Sequence, residues 1–310
     1  MPRRVYKYAA AGVLDLMFAR DGFCGIKCSY PKDYNDPYEL FLGVDVKGSP
    51  DTLATYREVI REIPQYPTTC FSRAPTVLPM WAHYANNHTG FVLEFDADAI
   101  EQHLRDVSIG DVTYRDSPDP EIEYFLLRSA VTMKARHAIW LQQRVLNQAY
   151  YSKFTAWQYE DECRLVASEA EVENISGNMI LFVPTACVLR IIAGQSASKE
   201  LVERTQELAS KYGIEWLQSQ TGKTNSLPFF TSEDGSAFTY REGGMAPAEN
   251  VCGKCSEPID SEQELCPWCK ITDEDQRVAA LSNPLRMMER YGLLDDYLSG
   301  VEQIERERKK

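Results

Sequence analysis

Two Cys-x-x-Cys pairs near the C-terminal end limit this chain more than anything else in it. Cys252-Gly-Lys-Cys255 and Cys266-Pro-Trp-Cys269 are separated by ten residues. Each pair closes a tight turn, for which Gly253 and Pro267 are suited, and aims two thiolates at one point. Two such turns make a tetrahedron of sulfur. The segment between them has room for one short hairpin and is too small to hold an apolar core, so the metal must supply the folding energy. The spacing predicts one structural zinc ion on Cys252, Cys255, Cys266 and Cys269. Four thiolates close the coordination sphere, which leaves no position for water or substrate and argues against catalysis by this ion.

The module has the pattern of a zinc ribbon over residues 250–271, and it organises the rest of the chain around it. Residues 1–218 read as one α+β domain, 219–249 as a polar, Gly-rich linker or irregular hairpin, and 272–310 as a charged helical tail. The 310 residues suffice for one large core with an appendage. The remaining five of the nine cysteines are scattered among apolar residues and read as small buried hydrophobes. No run of eighteen apolar residues occurs, and the basic N-terminus is not followed by a signal-type apolar segment. A cytoplasmic protein that does not engage membranes is expected. The formal charge of −13 argues against broad nucleic-acid binding. Arg128, Lys134, Arg136, Arg144 and Lys153 fall in one helical region, where a solvated face is the simpler reading than a basic groove. Around the ribbon, Glu257, Asp260, Glu262 and Glu264 favour a protein partner, at the ribbon or tail, over DNA or RNA.

Hydrophobic periodicity places the elements. Residues 4–9, 25–29, 68–72 and 90–96 read as strands, the last with Phe91, Leu93 and Phe95 on one face. Helices are expected over 12–20, 51–63 and 79–85, and one long helical region, broken once, over 120–153. Strands follow at 163–167, 179–183, 188–193 and 214–217, and a helix at 198–212 capped by Gly213. No Gly-rich phosphate loop follows any strand, which favours α+β over a doubly wound nucleotide fold.

Four segments carry polar and aromatic residues that a simple core does not need: Tyr6-Lys7-Tyr8; Asn35-Asp36-Pro37-Tyr38-Glu39; Cys70-Phe71-Ser72 with Met80-Trp81-Ala82-His83-Tyr84 and Gly90; and Lys153 with Trp157-Gln158-Tyr159-Glu160-Asp161-Glu162-Cys163-Arg164. Together these resemble the domain-of-unknown-function family numbered 2971, over residues 4–194. The family carries no activity. A more remote resemblance is to ADP-ribosyltransferases that use NAD, which share a split, mixed or antiparallel sheet. Their signatures are a His or Arg on the first strand, an aromatic or Ser on a middle strand and a Glu on a late strand. Here Lys7 departs from the first signature, Ser72 and the segment from Trp81 to Tyr84 stand for the second, and Glu160 or Glu162 for the third.

That resemblance implies a chemistry. Cleaving the nicotinamide–ribose bond builds positive charge on the sugar, which a fixed carboxylate stabilises. On an extended 160–164 segment, Glu160, Glu162 and Arg164 share one side. Glu162 is the first choice for the catalytic carboxylate and Glu160 the second, positioned by Arg164. Lys7, Tyr8, Asn35, Ser72, Trp81, His83 and Tyr84 are the candidate NAD contacts. The implied activity is ADP-ribosyl transfer to a macromolecule, nucleic acid or protein, as in a toxin or an antiviral defence effector. The other reading is a noncatalytic recognition module that docks a protein partner through the ribbon, with the conspicuous residues of the main domain serving structure alone.

Overall fold

A computed structural model describes residues 3–34, 49–61, 64–241, 243–259 and 263–308. The chain divides into two compact units, Met1–Gly222 with Ser226–Ala248, and Lys223–Asn225 with Glu249–Lys310.

The first unit is a mixed α/β body. Its strands are β1 (Arg4–Ala9), β2 (Phe23–Cys28), β3 (Thr68–Ser72), β4 (Phe91–Asp96), β5 (Val107–Asp111), β6 (Thr113–Tyr114), β7 (Ser152–Lys153), β8 (Glu162–Ala167), β9 (Val172–Ile175), β10 (Asn178–Pro184), β11 (Val188–Ala193), β12 (Glu215–Gln220), β13 (Phe229–Thr231), β14 (Ala237–Arg241) and β15 (Gly244–Pro247). Its helices are α1 (Leu14–Met17), α2 (Pro50–Arg61), α3 (Leu78–His83), α4 (Ala97–His103), α5 (Pro120–Thr132), α6 (Ala135–Tyr151) and α7 (Lys199–Tyr212).

One large sheet runs in the order β15-β14-β13-β12-β11-β4-β1-β3-β8-β5. Neighbours are antiparallel except β11 and β12, which are parallel and joined by α7. Ser198 caps the N-terminus of that helix and Gly213, at φ 68°, caps its C-terminus. Strand β4 lies at the centre and is buried on both faces, so its apolar run is nearly continuous. On one face Val5, Leu93, Phe95, Phe71 and Leu165 pack against the smaller sheet β2-β10-β9 and helix α7. On the other, Tyr6, Tyr8, Val92 and Ile192 pack against Met80 and Trp81 of α3. Helices α2, α5 and α6 enclose a third cluster around Tyr56, Ile122, Leu126 and Leu141.

The feature that creates a site is an interruption between β1 and β3. Strand β1 pairs with β4 along its whole length, from Arg4 to Ala9, but with β3 only at Tyr6 and Ser72. Beyond that point the two strands part. The Cys70 carbonyl, which a continued ladder would use, accepts instead from Lys7 Nζ at 2.8 Å.

Several expectations need correction. Of the two readings of 219–249, linker or irregular hairpin, the linker falls away: β13, β14 and β15 pair as antiparallel hairpins that extend the sheet, with Phe229, Phe230 and Ala237 buried. Polar and glycine residues there mark the turns between short strands, which composition alone reads as loop. The helix expected over 12–20 is reduced to a short 3₁₀ turn and four residues of α1. The 160–164 segment is not continuously extended, because Asp161 adopts a left-handed φ of 43° between a 3₁₀ turn ending at Glu160 and β8. The break in the 120–153 helical region falls at Met133, also left-handed at φ 51°.

The second unit contains the four metal-site cysteines and the helices α8 (Asp273–Leu281), α9 (Pro284–Arg290) and α10 (Leu294–Arg308). No residue of these helices is buried. Thr272 and Asp275 form a reciprocal capping box at the start of α8. Among the described residues no helix is long and apolar enough to cross a membrane.

Candidate active site and metal centre

Where β1 and β3 diverge, a cavity of about 230 Å³ opens. Its walls include Lys7 and Tyr8 of β1, Cys70 and Ser72 of β3, Tyr84 just after α3, and Lys153, Glu160, Glu162 and Arg164. Lys153 arrives there because α6 ends at Tyr151 and the next two residues extend to pair with β6. Arg164 points back and donates from Nη1 to the Tyr150 carbonyl at 2.9 Å, taking up one of the carbonyls that the end of α6 leaves unpaired. The Glu162 amide donates to the Tyr114 hydroxyl at 2.8 Å, which fixes the first residue of β8.

The charged groups form one connected set. Lys153 Nζ bridges the two carboxylates, 2.6 Å from Glu160 Oε2 and 3.0 Å from Glu162 Oε2. Arg164 grips Glu162 in a fork, Nε to Oε1 at 2.7 Å and Nη2 to Oε2 at 3.1 Å. Tyr84 donates its hydroxyl to Glu160 Oε1 at 2.7 Å. Lys153 also lies over the Trp157 ring, 4.8 Å from its centroid. All four charged side chains are buried.

Burial alone would lower the Lys153 ammonium, but Glu162 and Glu160 outweigh it and hold the group above its ordinary value. Burial pushes the Glu162 carboxyl up, with Lys153 working against it. Burial and the bond to Glu160 both raise the Tyr84 phenol. Lys7 differs. Its Nζ donates to Thr69 Oγ1 and the Cys70 carbonyl, both at 2.8 Å and both uncharged, and no carboxylate lies within ion-pair distance among the described residues. Desolvation therefore holds its ammonium below the ordinary value.

The structure brings Lys7, Tyr8, Ser72, Tyr84, Glu160, Glu162 and Arg164 to one cavity, although β3 separates the strands that carry Lys7 and Glu162. Two expected contacts do not line it. Trp81 is fully buried, with Nε1 donating to the Pro75 carbonyl at 2.8 Å and its ring edge-on to Tyr8, so it supports the wall from behind. His83 is exposed beside Tyr159. The α3 spacing turns both away once Met80 and Tyr84, four apart, face the cavity. Asn35 lies outside the described residues. In the sequence Lys153 reads only as part of a motif or a helix surface. Its signal is its place directly after a long helix and seven residues before a carboxylate. Tyr34, Thr69 and Trp157, which also line the cavity, have no separate signal.

The second unit holds the other centre. One Sγ from each of Cys252, Cys255, Cys266 and Cys269 lies within 4.8 Å of the others, close enough to bind one metal ion. Cys255 and Cys266 Sγ are 3.8 Å apart, about the edge of a tetrahedron with metal–sulfur bonds of roughly 2.3 Å. The Cys266 amide donates to Cys252 Sγ at 3.3 Å, and this bond leads the causes that bring that thiol down to about 6, toward the thiolate a metal needs. Glu257 is not part of an acidic surface. It is buried and accepts from the amides of Lys223 and Thr224, both at 2.7 Å. Asp260 and Glu262 lie outside the described residues.

The family model described as a protein of unknown function, DUF2971, matches residues 80–165, a stretch that contains Tyr84, Lys153, Glu160, Glu162 and Arg164 but not β1 or the cysteine module. No curated protein and no solved structure matches the chain.

Proposed function

We propose that the first unit is an NAD-cleaving ADP-ribosyltransferase that modifies a macromolecule, protein or nucleic acid. The observation that carries this reading is the fixed carboxylate pair at the cavity where β1 and β3 part. A carboxylate preorganised in a desolvated site stabilises a developing ribosyl cation, and the aromatic walls suit a planar nicotinamide ring. Lys7, half-buried and without an anionic partner among the described residues, suits the phosphates or ribose of the substrate. A role as a toxin or antiviral effector is an extension of this reading by analogy of fold. The test is to incubate the purified protein with labelled NAD and whole-cell extract, and to measure free nicotinamide and the labelled fraction. Absence of both nicotinamide release and label ends the reading.

In the second unit we propose that the ion is a structural zinc, given four thiolates at tetrahedral spacing and no site left for substrate. A second reading, a noncatalytic module that docks a protein partner through the ribbon and tail, is favoured by one observation. Trp268 of the second knuckle is 59% exposed, and the tail exposes Leu281, Tyr297 and Ile304 on helices that bury nothing, and Tyr291 just after α9. Deleting 249–310 separates the two. Nicotinamide release that survives the deletion belongs to the first unit, and loss of a bound protein without loss of release belongs to the second.

A further inference from the structure

The two carboxylates of the cavity are not equivalent, and the difference assigns their roles. Glu162 accepts three bonds from cations: Arg164 Nε on Oε1, and Arg164 Nη2 with Lys153 Nζ on Oε2. A carboxylate offers about four acceptor sites, so Glu162 is nearly saturated and its charge is covered by a fork that is itself fully buried. Among the described residues Glu160 accepts two bonds, one from Lys153, which it shares, and one from the neutral Tyr84 hydroxyl. Against these it keeps open acceptor sites, and it meets one cation where Glu162 meets two. It also ends a 3₁₀ turn just before the left-handed Asp161, off the ladder that fixes Glu162.

We infer that Glu160, rather than Glu162, is the carboxylate that meets the substrate, that Lys153 and Tyr84 are its positioning residues, and that Glu162 is the clasp that holds Arg164 and Lys153 in place. This rests on the NAD-cleaving reading. In the reaction the bond from ribose C1′ to the pyridinium nitrogen breaks, and its electron pair leaves with neutral nicotinamide. An N–H or O–H nucleophile of the acceptor, or water, bonds to C1′. Its proton passes to the Glu160 carboxylate and then to solvent. Glu160 faces the developing cation, while the shared ammonium keeps both carboxylates charged at close range.

Five single variants and one double variant test this by nicotinamide release and thermal melting of the full chain. Glu160→Gln should lower kcat by about 10²–10³-fold, the usual loss for one preorganised electrostatic contact, and lower the melting midpoint less than Glu162→Gln does, because Lys153 keeps Glu162 and the Arg164 fork stays whole. Tyr84→Phe should lower kcat more than it raises KM. Lys153→Met should move the acidic limb of the kcat profile to higher pH, since two close carboxylates without a shared cation resist double ionisation; Lys153→Arg should restore it in part. The other titratable and charged groups facing the pair are Lys7, Tyr34, Cys70, Tyr84, Tyr114, Tyr159 and Arg164, with Lys27 and Asp33 on the cavity wall, and all are unchanged in that comparison. Glu162→Gln should melt lower, and if it fails to fold, the charge-matched pair Glu162→Gln with Arg164→Gln replaces it. A folded Glu162 variant that retains more turnover than Glu160→Gln supports the assignment. The reverse order overturns it and leaves the transferase reading intact, whereas a wild-type protein that releases no nicotinamide overturns both.

Discussion

Replacing Glu162 with glutamine perturbs the buried charge set directly, and its cost can be worked from the contacts. Arg164 is fully buried and relies on Glu162 for a two-point contact. A glutamine side chain there keeps one oxygen to accept from Arg164, but its amide nitrogen cannot accept from either Arg164 or Lys153. The guanidinium retains the Tyr150 carbonyl, and Lys153 retains Glu160. Removing one partner of a buried pair typically costs about 3–5 kcal/mol, because the other charge is left uncompensated. The surviving contacts place this case at the lower end, about 3 kcal/mol. For a unit of this size each kcal/mol lowers the melting midpoint by about 2–4 °C, so a fall of roughly 6–12 °C is expected. Intrinsic tryptophan fluorescence reads the first unit selectively, since Trp81, Trp140, Trp157 and Trp216 lie there and only Trp268 lies in the second. Glu160→Gln is the control, because it leaves the Arg164 fork whole. A Glu162→Gln midpoint within about 1–2 °C of the wild type, or one no lower than that of Glu160→Gln, refutes the clasp.

Other consequences can be measured on the same protein. Metal analysis should find about one zinc per chain, and Cys252→Ser with Cys255→Ser should unfold the second unit while the tryptophan transition of the first stays in place; a metal-free protein whose ribbon amides remain protected from exchange contradicts this. Lys7→Ala should weaken NAD binding, read by calorimetry, with an unchanged melting profile at neutral pH or a slightly raised one. Desolvation holds the half-buried Lys7 ammonium below its ordinary pKa of 10.5, so the unfolded chain binds the extra proton between the folded value and 10.5. The stability of the wild type should therefore rise as pH increases through that window, and any advantage of Lys7→Met over it should shrink toward pH 10.5. A difference between the two that does not change with pH removes the desolvated ammonium as its cause.

What the sequence could show of this site follows from which contacts are local. The strands carrying Tyr6 to Tyr8, Thr68 to Ser72 and Phe91 to Asp96 stand out because each is a short run of β-branched, aromatic and other apolar residues. The cysteine module is legible for a similar reason, since both turns lie within a few residues of their own metal ligands. The cavity has no such local signature. It exists because β1 and β3 pair at one position and then separate, and nothing in either strand's alternation marks where pairing stops. Lys153 shows the limit most clearly. By residue type and position it reads as a surface lysine near the end of an exposed helix. Its burial follows from β7 pairing with β6 and from two carboxylates that reach it across a 3₁₀ turn. A period of two over 160–164 puts Glu160 and Glu162 on one face of a strand, and they do converge, but through the left-handed Asp161 and a shared ammonium rather than through the pleat. That geometry makes the two glutamates chemically unequal: the one inside the strand is held by Arg164, and the one displaced from it is left open to the cavity.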